Sequence, residues 1–572
     1  MPPAEGSGAF PAIGTAQRDG HQLVAETLSA VGIGYCFTVP AVPVYGTAAA
    51  CARVGIRVIG ARHQQAAGLM ALAQGYVGGR PNAVALVSPG PAATNVATAL
   101  LFAHDNCWPL VVLGGRYPQE AEGKGYFQAL DAARLFRPIT KWSATADSAA
   151  VLPAMIAQAF EIAFSGRPGP VYLDLPEDVL ASRVPTDMAA GSDIVARTRG
   201  EGIGVGTELP APDGDAVTRA AEALVSAKRP LLIVGKGLRW TQPWDDLRTL
   251  VERFDIPFVA SPMGRGALPD DHPLSFGAVS WAAQSQADLV MILGARLDWT
   301  FRYGAAIGRN ATLVQVDVES SEFGRNRMAQ VAVQADAGRF LAALLERLGA
   351  LGPQRANGAR DPRWLQNLEV ARARRRAEIE ALARSEATPI TPHRLAREVR
   401  DVLSRDAILV VDGNVIMAAA QQVIPSFLPA SRLNAGSGGC MGVGIPFAIG
   451  ARLQQPQRVV VALCGDFAAG LSLTEMETAV RHRVPVVIVV ANNDGNSGSL
   501  RQKAWFPPDY PERVTMFQPG VRYDRVMEAF GGYGEHVERP GDIGPALQRA
   551  IASGRAACVN VRVDPDAPYP SN

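Results

Sequence analysis

The stretches RVVVALCGD, residues 458–466, and VPVVIVVANND, residues 484–494, give the clearest indication of the fold of this chain. Each is a continuous apolar run rich in β-branched residues, which is typical of a strand buried on both faces of a parallel sheet. Each run ends in a polar cluster of Asp, Asn and Gly. The residues between them, 473–483, have a helical pattern, so the segment predicts a β-α-β unit.

The alternation of short strands with helices continues over most of the sequence. Further buried strands are predicted at 33–39, 83–88, 110–114, 170–175, 231–237, 289–297 and 407–414. Two stretches rich in Gly, Ala and Pro, residues 186–214 and 350–362, lack periodicity, and we interpret them as linkers between domains. We therefore expect an α/β protein with three doubly wound parallel-sheet domains, at residues 18–185, 212–350 and 388–566.

The bulk composition excludes several classes of protein. A chain of 572 residues is too long for one hydrophobic core, and its formal net charge of +1 gives no electrostatic reason to expect nucleic acid or a membrane as a partner. The N-terminal residues lack the pattern of a signal peptide, and no apolar stretch reaches the ~18–20 residues of a membrane span. The six cysteines have neither CxxC nor zinc-ligand spacing. We expect reduced cysteines and a cytoplasmic location.

The polar residues at the ends of these two predicted strands are the main candidates for binding a metal and a phosphate. Gly465 and Asp466 close the first strand, and Asn492 and Asn493 close the second. A carboxylate, an amide oxygen and a backbone carbonyl are hard ligands of the kind that Mg²⁺ prefers and shares with phosphates. We expect the turn after Asp466 and the start of the helix at 473–483 to face the same crevice and favour a phosphate. A plain β-α-β unit with turn-forming Asp and Asn also fits the spacing alone.

The GD and NN pairs at this interval resemble the GDG…NN signature of thiamine-diphosphate enzymes. Five other stretches agree with that superfamily in order: ARHQQAAGLMALAQGY (61–76), GPAATN (90–95), FQ (127–128), GRPGPVYLDLP (166–176) and GGCMGVGIPFAIGA (438–451). The resemblance implies a pyrimidine-binding, a central and a diphosphate-binding domain, in that order. It also implies thiamine diphosphate and Mg²⁺ as cofactors, and a homodimer or homotetramer with active sites at the subunit interface.

Within the superfamily, the chain is most similar to the 2-hydroxyacyl-CoA lyase and oxalyl-CoA decarboxylase branch. The similarity is carried by NCWPLVVLGG (106–115), IVGKG (233–237), PMGRGALPDDHP (262–273), GARLDW (294–299) and YDRVMEAFGG (523–532). It implies a carbon–carbon lyase that cleaves a 2-hydroxyacyl-CoA-type substrate to an aldehyde or ketone and formyl-CoA. Run backwards, the same site would act as a carboligase.

The resemblance also assigns roles to individual residues. Asp466, Asn493 and the carbonyl oxygen of Gly495 would bind Mg²⁺. The other residues assigned to the cofactor are Gln64, Gly413, Asn414, Gly439, Met441, Gly465, Phe467, Ala468, Asn496 and Ser497. Gly439 would accept a hydrogen bond from the aminopyrimidine, and Met441 would support the bend that brings the cofactor's amino group against its thiazolium ring. An ordinary core role explains a methionine here equally well.

Three residues are candidates for catalysis. Gln64 stands where the family has a glutamate that activates the pyrimidine ring, because the family pattern RHEQAA reads RHQQAA here. Slower activation, an engineered Glu→Gln change and a non-catalytic cofactor-binding protein are the three explanations. Gln128 of the FQ element is a candidate for orienting the substrate. His104, in a predicted loop, is a candidate proton shuttle, and a histidine bonded to the backbone is the alternative.

Other departures put coenzyme A in doubt. Acyl-CoA relatives continue the NN motif as GIYxG, whereas residues 495–498 read GNSG, and the sequence ends at Asn572 without their longer basic tail. The alternative is a carboligase or decarboxylase that uses no coenzyme A and is similar to acetolactate synthase or benzaldehyde lyase. Lys236, Arg296 and Arg432 would bind phosphates of an acyl carrier or form salt bridges between domains.

Overall fold

The computed structural model describes residues 17–185, 209–351 and 360–570. Most of the two predicted linkers, 186–214 and 350–362, lies outside these ranges. The described residues form three parallel sheets flanked by helices, which confirms the predicted α/β architecture. All six cysteines are free. Within the described ranges, no helix combines the length and the apolar character that crossing a bilayer requires.

The first domain is built on a six-stranded sheet. The sheet contains β2 (Tyr35–Val39), β3 (Arg57–Gly60), β4 (Ala83–Val87), β5 (Leu110–Arg116), β6 (Trp142–Thr145) and β7 (Pro170–Pro176), and the domain has two further strands, β1 (Gln17–Asp19) and β8 (Arg183–Pro185). Its helices are α1 (Gly20–Ala30), α2 (Tyr45–Arg53), α3 (Gln64–Gly78), α4 (Pro91–Asn106), α5 (Ala132–Phe136), α6 (Leu152–Phe164) and α7 (Glu177–Ala181). The sheet order is β3-β2-β4-β5-β7-β6, and a separate antiparallel pair of β1 and β8 joins the ends of the domain.

The central domain has a five-stranded parallel sheet. Its strands are β9 (Pro230–Val234), β10 (Phe258–Ala260), β11 (Leu289–Leu293), β12 (Thr312–Asp317) and β13 (Val331–Gln334), in the order β10-β9-β11-β12-β13. Its helices are α8 (Gly214–Ser226), α9 (Trp244–Arg253), α10 (Ser280–Gln286) and α11 (Ala337–Ala350). The long helix α12 (Arg363–Ala383) leads from this domain to the third.

The third domain repeats the six-stranded arrangement of the first. Its strands are β14 (Ile408–Asp412), β15 (Arg432–Asn434), β16 (Val460–Gly465), β17 (Val487–Asn492), β18 (Tyr533–Val537) and β19 (Ala557–Arg562), in the order β15-β14-β16-β17-β19-β18. Its helices are α13 (Pro392–Val402), α14 (Val415–Val423), α15 (Gly444–Gln454), α16 (Asp466–Gly470), α17 (Glu475–Arg481), α18 (Ser499–Trp505), α19 (Tyr523–Ala529) and α20 (Ile543–Ala552). β14 and β17 are buried throughout because helices cover both faces of the sheet.

The first and third domains share one hydrophobic core. Their buried residues form a continuous cluster, which Trp240 and Met263 join from the described part of the central domain. The domains meet where α3 packs on α15, and the backbones approach so closely that a Cβ on Gly450 would overlap the carbonyl oxygen of Met70. The central domain has hydrophobic clusters of its own, one of which also contacts α12. The fold therefore holds its first and third domains against each other as one packed body.

Candidate functional site

The carboxyl ends of three neighbouring strands form one edge of the third-domain sheet. β14, β16 and β17 are adjacent and parallel, so the residues that follow them lie side by side. A pocket opens beyond this edge, as is usual for ligand sites of open α/β sheets. It is lined by eleven of the residues predicted to bind the cofactor: Gly413, Asn414, Met441, Gly465, Asp466, Phe467, Ala468, Asn493, Gly495, Asn496 and Ser497.

Asp466, Asn493 and the carbonyl oxygen of Gly495 meet at this pocket. The side-chain amide nitrogen of Asn493 donates to Oδ1 of Asp466 at 3.1 Å and to the carbonyl oxygen of Gly495 at 2.9 Å, and its oxygen accepts from the backbone N–H of Gly498 at 3.1 Å. A half-turn of this amide would bring its oxygen beside the other two oxygens, where a cation could bind all three. No group of three or more His, Cys, Asp or Glu side chains in the described ranges can hold a metal. The donor set is therefore one carboxylate with two neutral oxygens, and it fits Mg²⁺.

Asp466 is the charged member of this set. It is only 1% exposed, and its two oxygens accept hydrogen bonds from the backbone N–H groups of Phe467, at 2.8 Å, and Gly495, at 3.0 Å. Burial raises the pKa of Asp466 to about 7, and the two hydrogen bonds only partly oppose that rise. Within the described ranges, Asp466 forms no direct ion pair, and a bound divalent cation would favour its ionised form.

The loop that carries Gly495 is held by residues far away in the sequence. Asp494 accepts two 2.6 Å bonds from the guanidinium of Arg562, and it also accepts a 3.0 Å bond from the backbone of Gly520. The rings of Phe467 and Phe517 stack with centroids 6.1 Å apart. The segment around Phe517 thus packs against Phe467, which lines the pocket. Sequence reasoning missed Arg562 and Phe517, because no local motif marks either residue.

Asp412 anchors the opposite wall of the pocket. This buried carboxylate accepts a 2.7 Å hydrogen bond from the backbone of Gly444 through one oxygen, while its other oxygen lacks a partner among the described residues. Burial raises the pKa of Asp412 to about 6. Asp412 ends β14 directly before Gly413, so it ties that strand end to the segment that carries Met441. Of the DGN cluster at residues 412–414, Gly413 and Asn414 were predicted to bind the cofactor, whereas Asp412 was given no role.

The predicted first-domain residues do not reach this pocket. Gln64 begins α3 and its side-chain oxygen accepts a 3.0 Å bond from Asn95. Gln128 has a left-handed backbone (φ 57°) and lies against Gly90, where an added Cβ would stand 2.8 Å from that of Gln128. Neither residue is among those that line the pocket around Asp466. One chain therefore presents the first-domain and third-domain residues as two separate groups.

Two further predicted residues also lie outside the pocket lining. His104 was expected in a loop, but α4 continues to Asn106, so His104 lies in its last turn, 49% exposed and 3.2 Å from Asp105. The loop expectation was wrong because the helix continues to Asn106 and ends only at Cys107, whose left-handed backbone (φ 57°) caps it. Gly439 has a left-handed backbone (φ 63°) and lies two residues before Met441, at the edge of the pocket.

The helix expected to face the phosphate is a different one. The residues after Asp466 form the one-turn helix α16, and Asp466, Phe467 and Ala468 line the pocket. α17 follows separately, and its first residue, Glu475, points to the first domain, where it binds the backbone of Arg62 and His63. The expectation that the helix at 473–483 starts at the crevice was therefore wrong, because the chain makes an extra turn first.

A larger cavity of about 240 Å³ lies between the three domains. It opens at the carboxyl ends of β9, β11 and β12, and its lining includes Arg167, Lys236 and Arg296. Arg432 is not part of this lining; it is buried and donates to the carbonyl of Ile424. Lys236 and Arg296, which were predicted to bind an acyl carrier or link domains, therefore line this cavity, whereas Arg432 stabilises the fold through its bond to Ile424.

Comparison with known proteins gives three matches in sequence order. The N-terminal TPP binding domain of thiamine pyrophosphate enzymes matches residues 18–135, their central domain residues 217–344 and their C-terminal TPP binding domain residues 413–561. 2-Hydroxyacyl-CoA lyase 1 of Mus musculus is 32% identical over 574 residues, which cover 96% of this chain and 95% of the relative.

Two other relatives have different activities in their names. An acetolactate synthase large subunit of Mycobacterium tuberculosis is 35% identical over 552 residues, 96% of each chain. The oxalyl-CoA decarboxylase of Escherichia coli is 32% identical over 558 residues, 96% of this chain and 95% of the relative. The similarity thus extends over nearly the full length of proteins that differ in substrate.

Proposed function

The chain belongs to the thiamine pyrophosphate enzymes, and on that premise we propose that it is a Mg²⁺-dependent carbon–carbon lyase acting on a 2-hydroxyacyl-CoA-type substrate. The matches to this family confirm the resemblance that was predicted from the GD and NN motifs. The products would be an aldehyde or ketone and formyl-CoA. The observation that supports the cofactor part is that Asp466, Asn493 and the carbonyl of Gly495 lie in contact at the strand ends and line one pocket.

The third-domain residues hold the cofactor in this proposal. Asp466, Asn493 and the carbonyl of Gly495 would hold Mg²⁺, and the backbone at the start of α16 would hold the diphosphate. Thiamine diphosphate, when bound, would supply the electron sink for breaking a bond next to a carbonyl. Met441, which lines the pocket, would support the rings of the cofactor, and Asp412 holds the nearby backbone of Gly444.

Gln64 orients the pyrimidine ring without exchanging a proton readily. Its amide donates or accepts a hydrogen bond, and Asn95 already holds its oxygen at 3.0 Å. A neutral side chain at this position supports slower activation of the cofactor. Hydrogen–deuterium exchange at the cofactor's thiazolium C2 tests this: exchange no faster than in free cofactor would support the non-catalytic alternative.

Two copies of the chain complete the site. In one chain Gln64 lies outside the pocket around Asp466, which supports an assembly in which another subunit supplies it. Phe127, beside Gln128, is 78% exposed, and Trp505, in the third domain, is 75% exposed. Large exposed aromatic side chains are characteristic of protein interfaces. Sedimentation of the full chain with cofactors should give a homodimer or homotetramer, whereas a fully active monomer would contradict the proposal.

The substrate class is the decisive test of the lyase proposal. A panel of 2-hydroxyacyl-CoA thioesters and free 2-oxo acids should be assayed for aldehyde release with Mg²⁺ and thiamine diphosphate. We expect formyl-CoA and an aldehyde from the thioesters, and no activity in Asp466→Ala. Activity on 2-oxo acids alone would instead support an acetolactate-synthase-like or benzaldehyde-lyase-like enzyme. The small polar residues Asn496 and Ser497, which replace Ile and Tyr of acyl-CoA relatives, favour that second candidate.

A further inference from the structure

The segment 434–441 has a shape that its own residues do not fix. The backbone of Gly436 donates 2.9 Å to the side chain of Asn434, and that of Gly439 only 3.4 Å to the carbonyl of Gly436. Both glycines have left-handed backbones, with φ of 61° and 63°. Met441 lies two residues after Gly439. The position of Gly439 and Met441 therefore depends on contacts from outside the segment.

The first domain supplies one such contact. Asn106, the last residue of α4, is 1% exposed, and its amide donates 3.0 Å to the carbonyl of Phe102. Its side-chain oxygen accepts a 3.0 Å bond from the backbone N–H of Ser437. A Cβ on Gly436 would overlap this amide group. Asn106 thus fixes both the direction and the distance of the 434–441 segment.

The central domain also forms hydrogen bonds to Ser437 and Asn106. The ammonium of Lys236, just after β9, donates 2.6 Å to the side-chain oxygen of Asn106 and 3.2 Å to the hydroxyl of Ser437. The indole N–H of Trp299 donates 2.6 Å to the carbonyl of Ser437. Asn106, Lys236 and Trp299 are therefore each hydrogen-bonded to Ser437. Three domains meet at a single residue of the segment that carries Gly439 and Met441.

We propose that Lys236 and Asn106 are positioning residues for the cofactor, which they reach only through Ser437 and the segment 434–441. The inference rests on the proposed function, which assigns Gly439 and Met441 to the pyrimidine half of thiamine diphosphate. The bond between Lys236 and Asn106 is charge-assisted and therefore roughly twice as strong as a neutral one. Loss of the Lys236 ammonium leaves the Asn106 oxygen with the Ser437 N–H alone and removes a donor from the Ser437 hydroxyl.

The test compares Lys236→Met with a matched control, Lys228→Met, an exposed lysine of the same domain. In cofactor-free protein, amide hydrogen exchange of residues 434–443 should rise in Lys236→Met and stay unchanged in Lys228→Met. With Mg²⁺ present, the Kd for thiamine diphosphate should rise about tenfold, equivalent to ~1.4 kcal/mol. The apparent KM for the cofactor should rise in parallel, with the melting temperature lowered no more than in the control.

The outcomes separate this proposal from the proposed function. Unchanged exchange at 434–443, or raised exchange with an unchanged Kd, would overturn the positioning role. Failure of the wild-type protein to bind thiamine diphosphate would overturn the proposed function, while the exchange data would still report on the junction. Because Asn106 is buried, Asn106→Leu can fail to fold, so Ser437→Ala serves as the second variant. It removes only the hydroxyl contact and should raise the Kd about twofold.

Discussion

The carboxylate of Glu475 accepts a 3.0 Å hydrogen bond from the backbone N–H of His63, so a buried side chain of the third domain fixes the residue before Gln64. It also accepts from the backbone of Arg62, at 3.2 Å, and from the hydroxyl of Thr478, at 2.7 Å. Burial raises the pKa of Glu475, and these hydrogen bonds oppose the rise. The start of α3 is thereby tied to a domain more than 400 residues away in sequence.

Glu475→Ala should destabilise the protein by about 3 kcal/mol, because it leaves buried N–H groups without an acceptor. Thermal unfolding followed by circular dichroism measures the loss. The control is Glu477→Ala, two residues along the same helix, where the lost ion pairs with Arg481 and Arg62 are partly exposed and contribute ~1 kcal/mol or less. Equal losses of stability in the two variants would show that the buried Glu475 contacts stabilise the protein no more than the exposed ion pairs of Glu477.

Gln64→Glu should raise the catalytic rate at least ~tenfold, because a carboxyl group shares a proton with the ring nitrogen and an amide does not. The measurement is kcat together with the exchange rate at the thiazolium C2. Gln65→Glu, the next residue of α3, adds the same charge and should give no gain. A rate unchanged by Gln64→Glu would mean that the pocket has adapted to glutamine.

Cofactor affinity should weaken above about pH 8. Burial lowers the pKa of Lys236 to about 8; Cys107 and Asp298 oppose the change, and Arg296 and Arg167 add to it. The ammonium form, and with it the strong bond to Asn106, is present below this pH and is lost as the pH rises through it. The Kd for thiamine diphosphate, measured from pH 7 to 9.5, should rise in the wild type. In Lys236→Met it should start higher and lack this rise; parallel curves would contradict the assignment.

Gly450→Ala should lower the free energy of unfolding by about 1–3 kcal/mol, because its new methyl group would overlap the Met70 carbonyl between α15 and α3. The control is Gly349→Ala in α11, where a Cβ meets nothing within 4 Å and helix propensity improves. Denaturant unfolding of both variants measures the difference. A stable Gly450→Ala would show that the two helices can separate without cost.

The strands were predictable because their buried apolar runs are continuous. The predicted stretches 458–466 and 484–494 contain β16 and β17, and the polar residues after them meet at one edge as parallel strands require. The helix at 473–483 was placed correctly in sequence but wrongly in space, because α16 adds a turn before it. A periodic pattern reveals that a helix exists, but not where its first turn points.

The supporting residues of the site were not predictable from local patterns. Arg562 reaches Asp494 across 68 positions, and Lys236 reaches Asn106 across 130. Such contacts are set by the packing of whole domains, which one sequence does not reveal. Gln64 and Asp466 were both identified from motifs, yet one chain does not bring them together, since the motif specifies residues and not the subunit that supplies them.

The shared core of the first and third domains has a consequence for heating. These two domains should melt as a unit, and the central domain, with clusters of its own, should give a separate calorimetric transition. If the central domain melts first, Lys236 and Trp299 leave Ser437 while the pocket around Asp466 stays folded. Catalytic activity would then be lost before most of the secondary structure, and rapid cooling would restore the activity.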